Sequence, residues 1–117
     1  MKENVVQQKS YEFAKNIIYL YKKLKMQKEF ELASQILRSG TSIGANIEEA
    51  IGGQSRKDFL HKISISYKEA RETKFWLRLL RDTNYLDLET AKTYLNDCEE
   101  LLRILGSIQK SVRLPNS

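Results

Sequence analysis

The stretch Gln35-Ile36-Leu37-Arg38-Ser39-Gly40-Thr41-Ser42-Ile43-Gly44-Ala45-Asn46-Ile47 decides the fold. Gly40, Thr41 and Ser42 are poor helix formers in succession, and a break there would cut the region in two. The apolar spacing points the other way. Leu32, Ile36, Ile43, Ile47 and Ala50 keep one helical phase across the glycine, so the spacing predicts a single helix over residues 30–51. Gly52-Gly53 then stop it, through the left-handed conformation that glycine readily takes at a helix C-terminus.

Three more helices follow on either side. Phe13, Ile17, Leu20 and Leu24, flanked by Ala14, Ile18 and Tyr21, give a broad apolar face over residues 7–25. Ser55, with Asp58 three residues on, caps a helix over 56–82, whose stripe is Phe59, Ile63, Ser66, Ala70, Thr73, Leu77 and Leu80. Asp87 is a good N-cap for a helix over 88–112, with Leu88, Ala91, Leu95, Cys98, Leu102, Leu105 and Val112 in one phase. Tyr94, Leu101 and Ile108 add a second stripe there, and Pro115 lies beyond the helix end. No segment alternates with period two. Four helices joined by short loops in one domain of 117 residues predict an all-α, antiparallel up-down-up-down four-helix bundle spanning 1–117.

Composition excludes several chemistries. One cysteine makes neither an internal disulfide nor a Cys-based zinc site, and one histidine leaves little for a His-built metal centre. Asp58 and His61 have the acid-x-x-His spacing of di-iron bundles, which need two such motifs. Gly52 to Lys57 looks superficially like a phosphate loop, but the Walker spacing is absent and no strand precedes it. Met1 to Ser10 lacks the apolar core of a signal peptide, and charges interrupt every apolar stretch. The expectation is therefore a cytoplasmic protein with no membrane partner, no metal and no cofactor. Cys98, on the helical stripe, reads as a small core residue, and the tyrosines read as packing residues.

Two polar groupings need an explanation beyond packing. On the second helix Gln35, Ser39, Ser42, Asn46 and Glu49 form a stripe beside the isoleucines, while Gly40 and Gly44 lie on the other flank, where they let a neighbouring helix come close. The stripe reads as polar groups that satisfy one another or the backbone, or else as a surface that meets another subunit or a polar ligand. On the third helix a helical projection puts Glu69 near the middle of the apolar arc, between Ile65 and Trp76, with Glu72 at its edge. A carboxylate facing a core needs donors, and Arg38 with the Ser/Asn stripe can supply them. Glu69 and Glu72 could serve acid–base chemistry, but no nucleophile or oxyanion motif accompanies them, so no catalytic residue is assigned. Opposite them, Arg71, Lys74, Arg78 and Arg81, flanked by Lys57 and Lys68, form a basic face suited to phosphate. The formal net charge, 20 Lys+Arg against 15 Asp+Glu or +5, permits that contact.

The block Leu37 to Ala50, together with Asp58-Phe59 and Lys68-Glu69-Ala70-Arg71-Glu72-Thr73-Lys74-Phe75-Trp76-Leu77, resembles the bacterial four-helix bundle proteins of the 23S rRNA intervening-sequence protein family, also called S23. Ser-Ile-x-x-Asn-Ile-x-Glu, from Ser42 to Glu49, is not a pattern that amphipathicity alone generates. The resemblance covers about residues 10–110. It implies a bundle that assembles into a ring, a homopentamer, with no known enzymatic activity. It also implies kinship with the accessory proteins of diversity-generating retroelements, basic pentameric barrels that associate with a reverse transcriptase and nucleic acid. Arg38, Ser39, Ser42, Asn46, Glu49, Glu69, Glu72 and Trp76 match the family motif and are carried over as positions that set the bundle and its packing. The expected function is a non-enzymatic, homo-oligomeric module that binds RNA or DNA through its basic face. The alternative is a protein-interaction scaffold, suggested by the broad apolar arcs on the first and fourth helices.

Overall fold

A computed structural model of the chain describes residues 4–113 as four helices: α1 (Val5–Met26), α2 (Phe30–Ile51), α3 (Arg56–Asp82) and α4 (Leu88–Arg113). No strand occurs among the described residues, and Pro115 lies outside them. Each helix begins on a side-chain cap that accepts a backbone N–H two or three residues inside the helix. Asn4 accepts from Gln7 at 3.0 Å, Glu29 from Leu32 at 3.0 Å, Ser55 from Asp58 at 3.0 Å and Asp87 from Thr90 at 3.1 Å. The Asn4 cap and the buried Val6 start α1 two residues before the apolar periodicity marks it.

The helix ends differ from expectation. Gly52 caps α2 with φ −83°, and no glycine among the described residues has a positive φ. The left-handed residues are Lys28 (φ 64°) and Asn84 (φ 68°), at the ends of α1 and α3. There the N–H of Glu29 donates to the Leu24 carbonyl at 3.0 Å, and that of Tyr85 to the Leu80 carbonyl at 2.9 Å, the pattern that closes a helix over one left-handed residue. Asparagine tolerates that conformation; lysine holds it at a cost of about 1–2 kcal/mol.

Side-chain neighbours define the topology. Ser10 and Ile17 of α1 lie against Gly44 and Gly40 of α2. Ser39 and Ile43 of α2 meet Thr73 and Ser66 of α3, and Ala70 and Tyr67 of α3 meet Cys98 and Gly106 of α4. Lys9 and Asn16 of α1 meet Glu100 and Tyr94 of α4. In each pair numbers rise on one helix as they fall on the other, so the bundle runs up-down-up-down around a square. The α1–α4 seam is the loosest and holds a groove of about 550 Å³. No described helix is long and apolar enough to cross a membrane.

α2 runs unbroken through Gly40 because its two glycines are packing positions. A Cβ on Gly40 would sit 2.8–3.2 Å from the side chain of Ile17, and one on Gly44 would sit 3.3 Å from the Ser10 carbonyl. On α4 the buried seam is Ala91, Cys98, Leu101 and Leu105, with Tyr94 and Ile108 in phase and partly buried. Leu95 and Leu102 flank it, and Leu88 is 74% exposed, which corrects the stripe read from the sequence.

Replacing a mid-helix glycine by alanine ordinarily gains about 1 kcal/mol of helix propensity. At Gly40 the methyl meets the β-branched Ile17, whose rotamer has little freedom, and overpacking costs about 1–3 kcal/mol. Gly40→Ala is expected to lower Tm in thermal denaturation, and adding Ile17→Ala is expected to recover part of the loss as a favourable coupling in the double-mutant cycle.

Candidate functional site

α2 and α3 pack so that Arg38 rises between them beside Glu69 and Glu72. Its guanidinium donates to Glu69 at 3.2 and 3.4 Å and to Glu72, and the Trp76 indole N–H donates to the same Glu72 oxygen at 3.0 Å. The hydrogen bond from Arg38, helped by the one from Trp76, holds the Glu72 carboxyl below its ordinary range. Glu72 in turn is the largest cause that raises the already high pKa of Arg38. This corrects the position expected for Glu69. Its side chain is 21% exposed and lies at the α2-facing edge of α3, not in the middle of the core arc.

The Ser/Asn stripe does not serve those carboxylates. The Ser39 and Thr73 hydroxyls share a buried hydrogen bond of 2.9 Å, with the Glu69 backbone carbonyl 2.8 Å from Thr73 Oγ1. Ser42 donates to the Ser39 carbonyl at 3.3 Å, and Asn46 to the Ser42 carbonyl at 2.8 Å. Glu49 ion-pairs with Lys62 across the α2–α3 seam at 2.6 Å. Every buried side-chain N or O among the described residues has a partner. Arg38, Glu69, Glu72 and Trp76 thus form one cluster, Ser39 joins a second with Thr73, and Ser42 and Asn46 bond their own helix.

The basic residues of α3 divide in two. Lys74, half-buried on the α4 side, ion-pairs with Glu99, and Arg81 holds the neighbouring Asp82 at 2.8 Å. Lys57, Lys68, Arg71 and Arg78 are exposed along the outer ridge, with no ion pair among the described residues. Reading one helix at a time missed what α4 adds: Lys92, Arg103 and Lys110 are also exposed, and the antiparallel register sets Arg103 about level with Lys68. It also missed the Ser66 hydroxyl, which donates to the Ile43 carbonyl at 2.8 Å; a serine on an apolar stripe was the available signal.

Other features contribute no reactive chemistry. Cys98 is buried, donates to the Ala70 carbonyl at 3.3 Å, and has its thiol pushed up to about 12 by burial. The α1–α4 groove has Lys9 bonded to Glu100 at 3.2 Å, while burial and Glu100 raise the Asp97 carboxyl. No group of three His, Cys, Asp or Glu among the described residues could hold a metal, Asp58 and His61 included.

A family model described as 23S rRNA-intervening sequence protein matches residues 2–107. A crystal structure from Bacteroides thetaiotaomicron, of a protein with unknown function from the S23 ribosomal protein family, is 53% identical. It covers 91% of this chain and 99% of its own, with a TM-score of 0.89. No curated protein matches.

Because the folded-state pKa of Glu72 is depressed, its pairing stabilises the bundle above the ordinary carboxylate pKa of 4.5 and that contribution is lost as pH falls below it. The cluster is partly solvated, so the effect is held to about 0.5–1 kcal/mol. Glu72→Gln is expected to be less stable than the parent chain at pH 7 in urea denaturation, and the difference is expected to shrink progressively as the pH falls through and below the ordinary carboxylate range.

Proposed function

Because the chain belongs to the 23S rRNA-intervening sequence protein family, we propose that it is a cytoplasmic, non-enzymatic, self-assembling bundle, a homopentamer, that binds RNA or DNA. The kinship with retroelement accessory proteins implied by the sequence resemblance belongs to the same proposal. One observation carries the nucleic-acid reading. Four cations, Lys57, Lys68, Arg71 and Arg78, share the outer ridge of α3 without an ion-pair partner among the described residues. Both flanks of that helix are engaged by α2 and α4, so the ridge is its free surface. Cations held on a rigid helix at intervals of about one, two and three turns meet phosphates without ordering a loop, and the contacts release counterions.

The second reading, a protein-interaction scaffold, rests on exposed apolar side chains. Tyr11, Tyr19, Met26, Phe30 and Leu88 are all more than half exposed. It requires no phosphate contact.

Electrophoretic mobility shift with structured RNA and with duplex DNA separates the two. Four phosphate contacts predict a slope of log affinity against log salt of about −3 to −4 on duplex DNA. Arg71→Glu/Arg78→Glu is expected to weaken binding at least about tenfold and to flatten the slope by about two contacts. A protein that retains neither nucleic acid at low salt overturns the ridge as a phosphate site.

A further inference from the structure

The outer face of α1 exposes apolar side chains that the bundle does not use. Tyr11, Ile18 and Tyr19 are 62%, 39% and 63% exposed there, interleaved with Lys15 and Lys22. Helix α1 as a whole carries five lysines against one glutamate, Glu12, which sits 3.1 Å from Lys15 in a solvated pair. Two such faces would repel each other, so this surface does not pair symmetrically with itself.

The outer face of α2 has the opposite character. Ser34 and Ala45 are exposed and small, leaving a shallow surface that bulky side chains can lie on. Its charges are acidic. Glu31 has no ion pair among the described residues, and Glu48 accepts only the neutral amide of Gln7, at 3.0 and 3.1 Å. Arg38, the one cation of α2, already faces two carboxylates, so its cluster is left one negative charge in excess. Lys15 and Lys22 are seven residues apart, and so are Glu31 and Arg38, so both pairs of charges recur at a rise of about 10 Å.

We propose that the outer face of α1 docks on the outer face of α2 of a second copy of this chain, with Lys15 and Lys22 meeting the excess negative charge around Glu31 and the Arg38 cluster. The inference rests on the self-assembly reading above and names its two surfaces. The tyrosines and Ile18 lie over the small residues, and the lysine stems cover the rim. The contact is heterologous, since the two surfaces differ. They occupy neighbouring corners of the square bundle, so each added copy turns relative to the last and the series curls toward closure instead of extending straight.

The test uses the full chain in sedimentation-velocity experiments at low salt across micromolar concentrations. Lys15→Glu/Lys22→Glu spoils one face and Glu31→Lys/Glu48→Lys the other. All four positions are exposed, and circular dichroism with a thermal scan checks that both variants stay folded. The parent chain is expected to sediment as an assembly, and each variant at least about tenfold more weakly associated. An equimolar mixture is expected to associate more strongly than either variant alone, because each variant's own two faces now carry like charge, whereas both cross-contacts, the second variant's α1 on the first variant's α2 and the charge-swapped reverse, set opposite charges face to face. If a fold-check fails, Tyr11→Ala/Tyr19→Ala replaces the lysine variant, with the same expected loss of association. If the parent chain assembles but the variants keep its mass, or the mixture stays as single chains, the α1–α2 pairing is overturned and self-assembly stands. If the parent chain sediments only as single chains, self-assembly itself falls and takes the pairing with it.

Discussion

Close approach of α2 to α1 is the constraint from which the rest of the bundle follows. Gly40 admits the Ile17 side chain into the space a methyl would fill, and Gly44 lets the Ser10 backbone come within van der Waals reach. Drawn that near on one flank, α2 meets α3 with its other flank, where small polar residues again replace bulk. Hydroxyls brought into a dry seam must find partners, because an unsatisfied buried polar group costs about 1–3 kcal/mol. Ser39 and Thr73 share one bond, and Ser66 reaches the Ile43 carbonyl. Those bonds have one register. Sliding α3 by a turn would take Ser66 from the Ile43 carbonyl and Ser39 from Thr73, which would keep only its own-helix bond to the Glu69 carbonyl, so the seam that tight packing produces also selects the alignment.

Charge is sorted by depth around this core. The hydroxyls lie inside, and the ion pairs lie at the rims. Arg38 and Lys62 link α2 with α3, Lys74 links α3 with Glu99 on α4, and Lys9 links α1 with Glu100. Across the α1–α2 seam the neutral Gln7 amide donates to the Glu48 carboxylate instead. Partly exposed pairs each contribute about 0–1 kcal/mol, too little to hold the fold together. Their place at the seams suits them to discriminate against wrong neighbours, since a misplaced helix would set like charges side by side.

How much of this was legible in the sequence depends on whether a feature is local to one helix. Continuity through Gly40 was legible, because Ile36, Ile43 and Ile47 stay in phase across it over about three turns. The position of Glu69 was misread for a geometric reason. Ile65 and Trp76 were counted with the core arc, yet both are only partly buried, and the buried stripe of Ile63, Ser66, Ala70, Thr73, Leu77 and Leu80 lies to one side of Glu69. On α4, Leu101 and Leu102 lie about equally far on either side of the line through Cys98 and Leu105, so packing against the other helices decides which of the two is buried. The left-handed turns fell on Lys28 and Asn84 where composition pointed to Gly52. Lysine there gives no compositional signal, since the helix-closing bonds to Leu24 depend on chain path and not on side-chain type. The partners of Lys74 and Glu49 required the register between helices, which no single-helix pattern contains.

That difference bears on which residues inform about function. Most of the motif that resembles the family, from Arg38 and Ser39 through Asn46 to Glu69 and Trp76, is occupied in joining α2 to α3 or in bonding its own helix. Such residues are restricted by the fold itself, so their presence says what the chain folds into and little about what it meets. The outer ridge of α3 is under no such restriction. A glutamine would be accommodated at Arg71 or Arg78, because no ion pair among the described residues holds either side chain and only the field of Asp82, one turn on, favours positive charge at Arg78. Positive charge at positions that the bundle does not constrain is free to answer to solvent or to a partner, and that freedom is the physical ground for looking for a partner there.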